Sequence, residues 1–133
     1  MDVLVADDSK LVREHLLSRL KGLPYIKQRL EAADAREAYG LTTEYHPDVI
    51  VVDIHMPGDG LELAGKLVNL PDRPVIIMLT NYAHDQYRKR SAQIGVDFFF
   101  DKTTEFDEAL DVLEELAIAF GGAFEEEEGN GDL

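Results

Sequence analysis

The sequence predicts an α/β domain: a doubly wound, five-stranded parallel sheet in the order 2-1-3-4-5, with five helices. Three observations predict it. Four short apolar runs are continuous rather than alternating, as strands covered by helices on both faces must be. Helix-period segments lie between successive runs, which is what parallel connections need. The 133 residues, 45% hydrophobic and 30% charged, have the size and composition of one globular domain.

The first run is Val3 to Ala6. Ser9 can then cap a helix whose inner face carries Val12, Leu16 and Leu20. The segment from Tyr25 to Ala33 differs, because Ile26, Leu30 and Ala32 alternate with Lys27, Arg29 and Glu31. That alternation predicts a half-exposed edge strand. A second helix is marked by Ala35, Ala38, Leu41 and Tyr45, with Gly40 weakening its interior. Val49 to Val52 is the third strand, and Leu63, Leu67 and Leu70 mark a third helix ended by Pro71. Val75 to Leu79 is the fourth strand. Residues 83–94 form the poorest helix, with Ala83, Tyr87 and Ile94 on a face interrupted by Ser91. Phe98 to Phe100 is the fifth strand. The last helix is the clearest, since Phe106, Leu110, Leu113, Ala117 and Phe120 recur at helical spacing. The expected domain covers residues 1–120. Residues 121–133, rich in glycine and glutamate and without a period, read as an acidic, disordered tail.

Composition excludes several functions. Zero cysteines remove disulfides, thiolate zinc sites and cysteine nucleophiles together. The net charge of −14 is local: residues 105–133 hold eleven acids and no Lys or Arg, leaving 16 acids against 13 bases elsewhere. Direct binding to nucleic acid or to an anionic membrane is disfavoured, because phosphate contacts need cations. The longest apolar run has five residues, too few to insert into a bilayer. The start lacks the basic segment of a secretion signal, so a cytoplasmic location is expected.

The chemistry sits at the carboxyl ends of the strands, where open α/β sheets place their crevice. Asp7 and Asp8 follow strand one, Asp53 follows strand three, Thr80 ends strand four and Lys102 follows strand five. The first and third strands flank the topological switch point, and both end in aspartates. Three converging carboxylates repel one another unless a cation lies among them. Oxygen ligands without cysteine or paired histidines favour a hard ion, and Mg²⁺ is the usual choice beside phosphate. A metal, a nucleophilic carboxylate, a hydroxyl and an ammonium together suit phosphoryl transfer. Singly, each feature is ordinary: Asp7-Asp8 before Ser9 is a normal acidic helix start. His15, His46 and His84 have no ligand spacing, and Arg88-Lys89-Arg90 reads as a solvated helix face.

Over residues 1–120 the sequence resembles the response-regulator receiver domains of two-component signalling, a flavodoxin-like (βα)5 family. The resemblance rests on Asp7-Asp8-Ser9, Asp53-Ile-His-Met-Pro57, Leu79-Thr80-Asn81 and Gly95 through Lys102, in that order. It implies that Asp53 is the phosphoacceptor, taking a phosphoryl group from a sensor histidine kinase or phosphotransfer protein. It implies Mg²⁺ held by Asp8, Asp53 and the backbone carbonyl of His55, with Asp7 reaching it through water. Thr80 and Lys102 would bind phosphoryl oxygens, and Thr80 with Phe99 would form the switch. His55 and Tyr82 would flank the water that removes the phosphoryl group, Tyr82 as a shield and His55 as the residue orienting that water. Output would leave through a protein partner on the face of helices four and five and strand five.

Four departures from the family stand out. The loop Met56-Pro57-Gly58-Asp59-Gly60 is shorter than usual, and Lys102 is followed by Thr103 rather than the proline that favours a cis bond. Asn81 follows Thr80 where a smaller residue is frequent, and Phe99 lacks the hydroxyl of a tyrosine. The expected function is a single-domain regulator or phosphorelay intermediate that catalyses only its own phosphorylation and dephosphorylation. The alternative is the isolated receiver of a longer DNA-binding regulator. An aspartate-nucleophile phosphatase of the haloacid dehalogenase type needs a second aspartate two residues after Asp7, where Ser9 stands. A flavodoxin-type flavin module needs a phosphate loop, and Asp7-Asp8 would repel the phosphate.

Overall fold

A computed structural model describes residues 1–131, with side chains as far as Gly121. Strand β1 (Asp2–Ala6) leads into α1 (Lys10–Leu20), and β2 (Gln28–Ala32) into α2 (Ala35–Tyr45). Then come β3 (Val49–Val52), α3 (Gly60–Leu67), β4 (Val75–Thr80), α4 (Asp85–Ile94), β5 (Phe98–Asp101) and α5 (Phe106–Gly131). All pairings are parallel, in the predicted order β2-β1-β3-β4-β5.

The alternation of side chains along each strand divides the core into two layers. Leu4, Ala6, Ile50, Val52, Ile76 and Met78 face α2 and α3, and Tyr87 and Ile94 of α4 pack on the same layer. Val3, Val5, Val49, Val51, Ile77 and Leu79 face Leu16 and Leu20 of α1 and Ala109, Leu113 and Ala117 of α5. β3 is buried at every position, which is why its run is continuous and not alternating.

Local signals set several element ends. Ser9 accepts the Val12 N–H at 3.3 Å, and Asp34 caps α2 by accepting from Glu37 at 2.8 Å. Other boundaries differ from those expected. The edge strand begins at Gln28 rather than Tyr25, whose φ is +70°. Ile26, outside that strand, packs on the layer opposite Leu30. In α2 it is Thr42, not Tyr45, that is buried; its hydroxyl escapes the polar penalty by donating to the Ala38 carbonyl at 2.8 Å. α3 stops at Leu67, so Leu70 lies in the following turn. α5 continues past Phe120 to Gly131. The side chains of residues 122–131 and all of 132–133 lie outside the described residues, and the expected disordered tail falls largely on them.

α4 is the least embedded helix. Ser91 is its only buried residue, and its N-cap His84 makes no side-chain capping bond.

Candidate functional site

The sheet ladder itself places the site residues. One step beyond β1, the Asp7 N–H donates to the Ala32 carbonyl at 3.0 Å; one step beyond β3, Asp53 donates to Ala6 at 3.0 Å. One step beyond β5, Lys102 donates to the Thr80 carbonyl at 2.8 Å. Each residue is thereby held by backbone bonds at the switch-point crevice, with its side chain free for chemistry.

Asp7, Asp8 and Asp53 converge, one carboxylate oxygen from each lying within 4.8 Å of the others. Asp7 and Asp53 are buried and Asp8 is exposed, so the cluster has a closed floor and an open mouth. Lys102 reaches in from the far side, donating to Asp7 Oδ2 at 2.7 Å and to Asp53 Oδ2 at 3.3 Å. Asp7 Oδ1 accepts the Ser9 N–H at 2.8 Å. Asp53 Oδ1 is buried and accepts no hydrogen bond. A buried carboxylate oxygen without a partner is costly, and it faces a cluster whose donors are all hard oxygens. These residues therefore fit a divalent cation of the Mg²⁺ type.

The electrostatics agree. Burial holds the Asp53 carboxyl above its ordinary value, with the Asp7 charge adding; the Lys102 ammonium opposes this without cancelling it. Burial alone would lower the Lys102 pKa, but its hydrogen bond to Asp7 and the charges of Asp53 and Asp7 outweigh that and raise it. Lys102 stays cationic, and Asp53 is a more basic, hence more nucleophilic, carboxylate than an exposed one.

Thr80, at the end of β4, is fully buried, and its Oγ1 accepts the Tyr82 N–H at 3.1 Å. At the mouth, the His55 and Tyr82 rings lie 3.7 Å apart and Tyr87 meets His55 edge-on at 5.8 Å. A groove of about 500 Å³ opens beside them, lined by Asp8, His55, Asp59, Tyr87 and Arg90 among others. Phe99 is not part of the cluster; it lies on β5 with the Arg88 guanidinium 4.8 Å from its ring centre.

A profile of the response regulator receiver domain matches residues 3–114. The chain belongs to the response-regulator receiver family. It is 31% identical over 127 residues to the sensory transduction protein LytT of Enterococcus faecalis, covering 95% of this chain and 52% of that one. It is 29% identical to the chemotaxis protein CheY of Halobacterium salinarum, covering 88% of this chain and 97% of CheY. The receiver thus spans about half the length of the first curated relatives it matches. Among solved structures, Vibrio cholerae CheY4 superposes with a TM-score of 0.76 at 26% identity, covering 86% of this chain and 96% of that one. The receiver domain of Francisella response regulator 1452 superposes at 0.78 and 27%, covering 90% and 98%. As members of two-component systems, receiver domains work with histidine kinases or phosphotransfer proteins.

Three contributions to this receiver site, from Gly60, Arg13 and Arg88, escaped the sequence reading. Gly60 is forced: a Cβ there would lie 2.0 Å from the Asp53 carbonyl oxygen. The short loop before it is met by positive φ at Gly58 and Asp59, and a glycine so close after the acceptor was the available signal. Arg13 donates to the Asp7 carbonyl at 2.7 Å and to Glu31 at 3.0 Å. Arg88, expected on a solvated face, instead donates to Glu105 at 2.7 Å; the two are 17 positions apart, a spacing no local pattern reveals. The described residues hold no cis peptide bond, so Lys102–Thr103 is trans.

Proposed function

We propose that this receiver accepts a phosphoryl group from a phosphohistidine onto Asp53 and, in response, changes a surface recognised by another protein. The observation that carries the proposal is the unpartnered Asp53 Oδ1, buried beside two further carboxylates and opposite a cationic lysine. Asp53 attacks phosphorus in line; the P–N bond breaks with its electron pair going to nitrogen, an acyl phosphate P–O bond forms, and the donor ring, protonated on its other nitrogen, leaves as neutral imidazole. Lys102 moves its hydrogen bond from Asp53 to a phosphoryl oxygen, and the Thr80 hydroxyl donates to another. Asp8, Asp53 and the His55 carbonyl would hold Mg²⁺, with Asp7 behind them. When bound, the ion supplies positive charge among oxygens that otherwise repel. The reaction is confined to the protein's own aspartate, in the cytoplasm, and the face of α4, β5 and α5 carries the output.

Incubation with Mg²⁺ and acetyl phosphate tests this directly. Intact mass should show an adduct of ~80 Da, one phosphoryl group, on wild type and none on Asp53→Asn. Equal labelling of both would end the assignment.

A further inference from the structure

Arg88 joins α4 to the turn that carries Lys102. From α4 it donates to Glu105 Oε1 at 2.7 Å and lies over the Phe99 ring. That same Glu105 oxygen accepts the Asp101 N–H at 3.0 Å, and the Glu105 N–H returns to the Asp101 carbonyl at 2.8 Å. Asp101 Oδ1 also accepts the Thr103 N–H at 2.8 Å. Lys102 therefore sits inside a turn closed on both sides by hydrogen bonds, and Glu105 is its clasp. The other end of the pair is a helix with little hold of its own. α4 buries only Ser91, whose hydroxyl has no hydrogen-bond partner, and its apolar hold is limited to the partly buried Tyr87 and Ile94.

We propose that the Arg88–Glu105 pair couples the Lys102 turn to α4, holding helix and Phe99 ring in the phosphate-free arrangement until Lys102 is drawn to a phosphoryl group. The proposal rests on Asp53 being the acceptor. The Lys102 ammonium now bridges Asp7 and Asp53, and a phosphoryl group on Asp53 would compete for it. Any resulting shift of the turn moves the Asp101 N–H and the Glu105 carboxylate together, because Glu105 Oε1 accepts from both that N–H and the Arg88 guanidinium. Arg88 must then either follow, carrying α4, or release, uncovering Phe99. Both outcomes change the same face. The hydrogen bond from Arg88 holds the Glu105 carboxyl below its ordinary value.

Because the link belongs to the phosphate-free state, cutting it should ease the switch. Calorimetric titration with beryllofluoride in the presence of Mg²⁺ reads this without turnover. Arg88→Met, which keeps a side-chain stem beside Phe99, and Glu105→Gln should each bind about three- to tenfold more tightly than wild type. That range is what an exposed ion pair plus a cation–π contact can contribute. The double variant should bind no more tightly than either single one, since both cut the same link. Hydrogen exchange across residues 85–94 of the free variants should be faster than in wild type. Lys89→Met, on an exposed neighbour, should behave as wild type. Variants that lose thermal stability but keep wild-type affinity would overturn the coupling, as would additive effects in the double variant. If wild type itself fails to bind beryllofluoride, it is the reading of Asp53 that falls.

Discussion

Lys102 lies closer to Asp7, at 2.7 Å, than to its other carboxylate partner, Asp53, at 3.3 Å. The ammonium thus spends its better hydrogen bond on the buried floor of the crevice, leaving the acceptor only half satisfied. Of the two buried members of the cluster, Asp53 is the one whose charge is less compensated. It is where both a cation and an electrophile would give most relief.

Stability should report this imbalance. Burial raises the Asp53 pKa, so its contribution favours folding below the unfolded value near ~3.9 and is lost as pH rises through the higher folded value. At pH 7 the ionised carboxylate therefore works against the fold. Asp53→Asn should melt about 2–6 °C higher than wild type at pH 7, the shift that ~1 kcal/mol makes in a domain of this size. The gap should close as pH falls towards ~3.5, and Mg²⁺ at pH 7 should narrow it by stabilising wild type. Identical melting at pH 7 without Mg²⁺ would count against an uncompensated Asp53.

Gly60 and Gly65 make a matched pair on α3. A Cβ at Gly60 meets the Asp53 carbonyl oxygen at 2.0 Å, whereas one at Gly65 meets nothing within 4 Å. Gly60→Ala should destabilise by ~1–3 kcal/mol through forced backbone movement and slow labelling by acetyl phosphate. Gly65→Ala should stabilise by ~0.5–1 kcal/mol, the ordinary helix gain. Urea midpoints of the two variants would check both signs at once.

Arg13 is a brace for the acidic cluster. Its guanidinium ties the Asp7 carbonyl to Glu31 on β2, and its side chain is only 13% exposed. Loss of such an outer partner costs about 10- to 100-fold in metal affinity, so Arg13→Ala should weaken Mg²⁺ binding by about tenfold. Arg13→Lys should not restore it, because one ammonium cannot reproduce the forked geometry. Direct Mg²⁺ titration of the unphosphorylated variants separates this role from plain loss of stability.

His55 and Tyr82 bear on how long the acyl phosphate lasts. The sequence argument favours His55 as the residue orienting water, but the two rings lie 3.7 Å apart and so support each other as a cover. With His55 held in that contact, shielding by the pair should outweigh assistance. Both His55→Ala and Tyr82→Ala should lose phosphate faster than wild type, by up to about tenfold. A slower His55→Ala would restore general-base assistance as the dominant effect.

The sequence by itself determined the strand order, the layering of the core and the acidic cluster. The apolar runs of β1, β3 and β4 belong to strands covered on both faces, whereas β5 is a partly exposed edge, and each chemical residue follows its run by one or two positions. Asp7, Asp53 and Lys102 could be placed because parallel strands end at one edge of the sheet, so sequence position and spatial position coincide there. Position did not say which of the two buried aspartates Lys102 would prefer, nor that Asp53 Oδ1 would be left without a partner. Those depend on distances of a few tenths of an ångström between groups 49 and 95 positions apart. The same holds for Arg88, which its exposed-looking run assigned to solvent and packing brought onto Phe99 and Glu105. Periodicity reports which face of an element is apolar, but a charged side chain long enough to reach a neighbour chooses its partner only when the helices have packed.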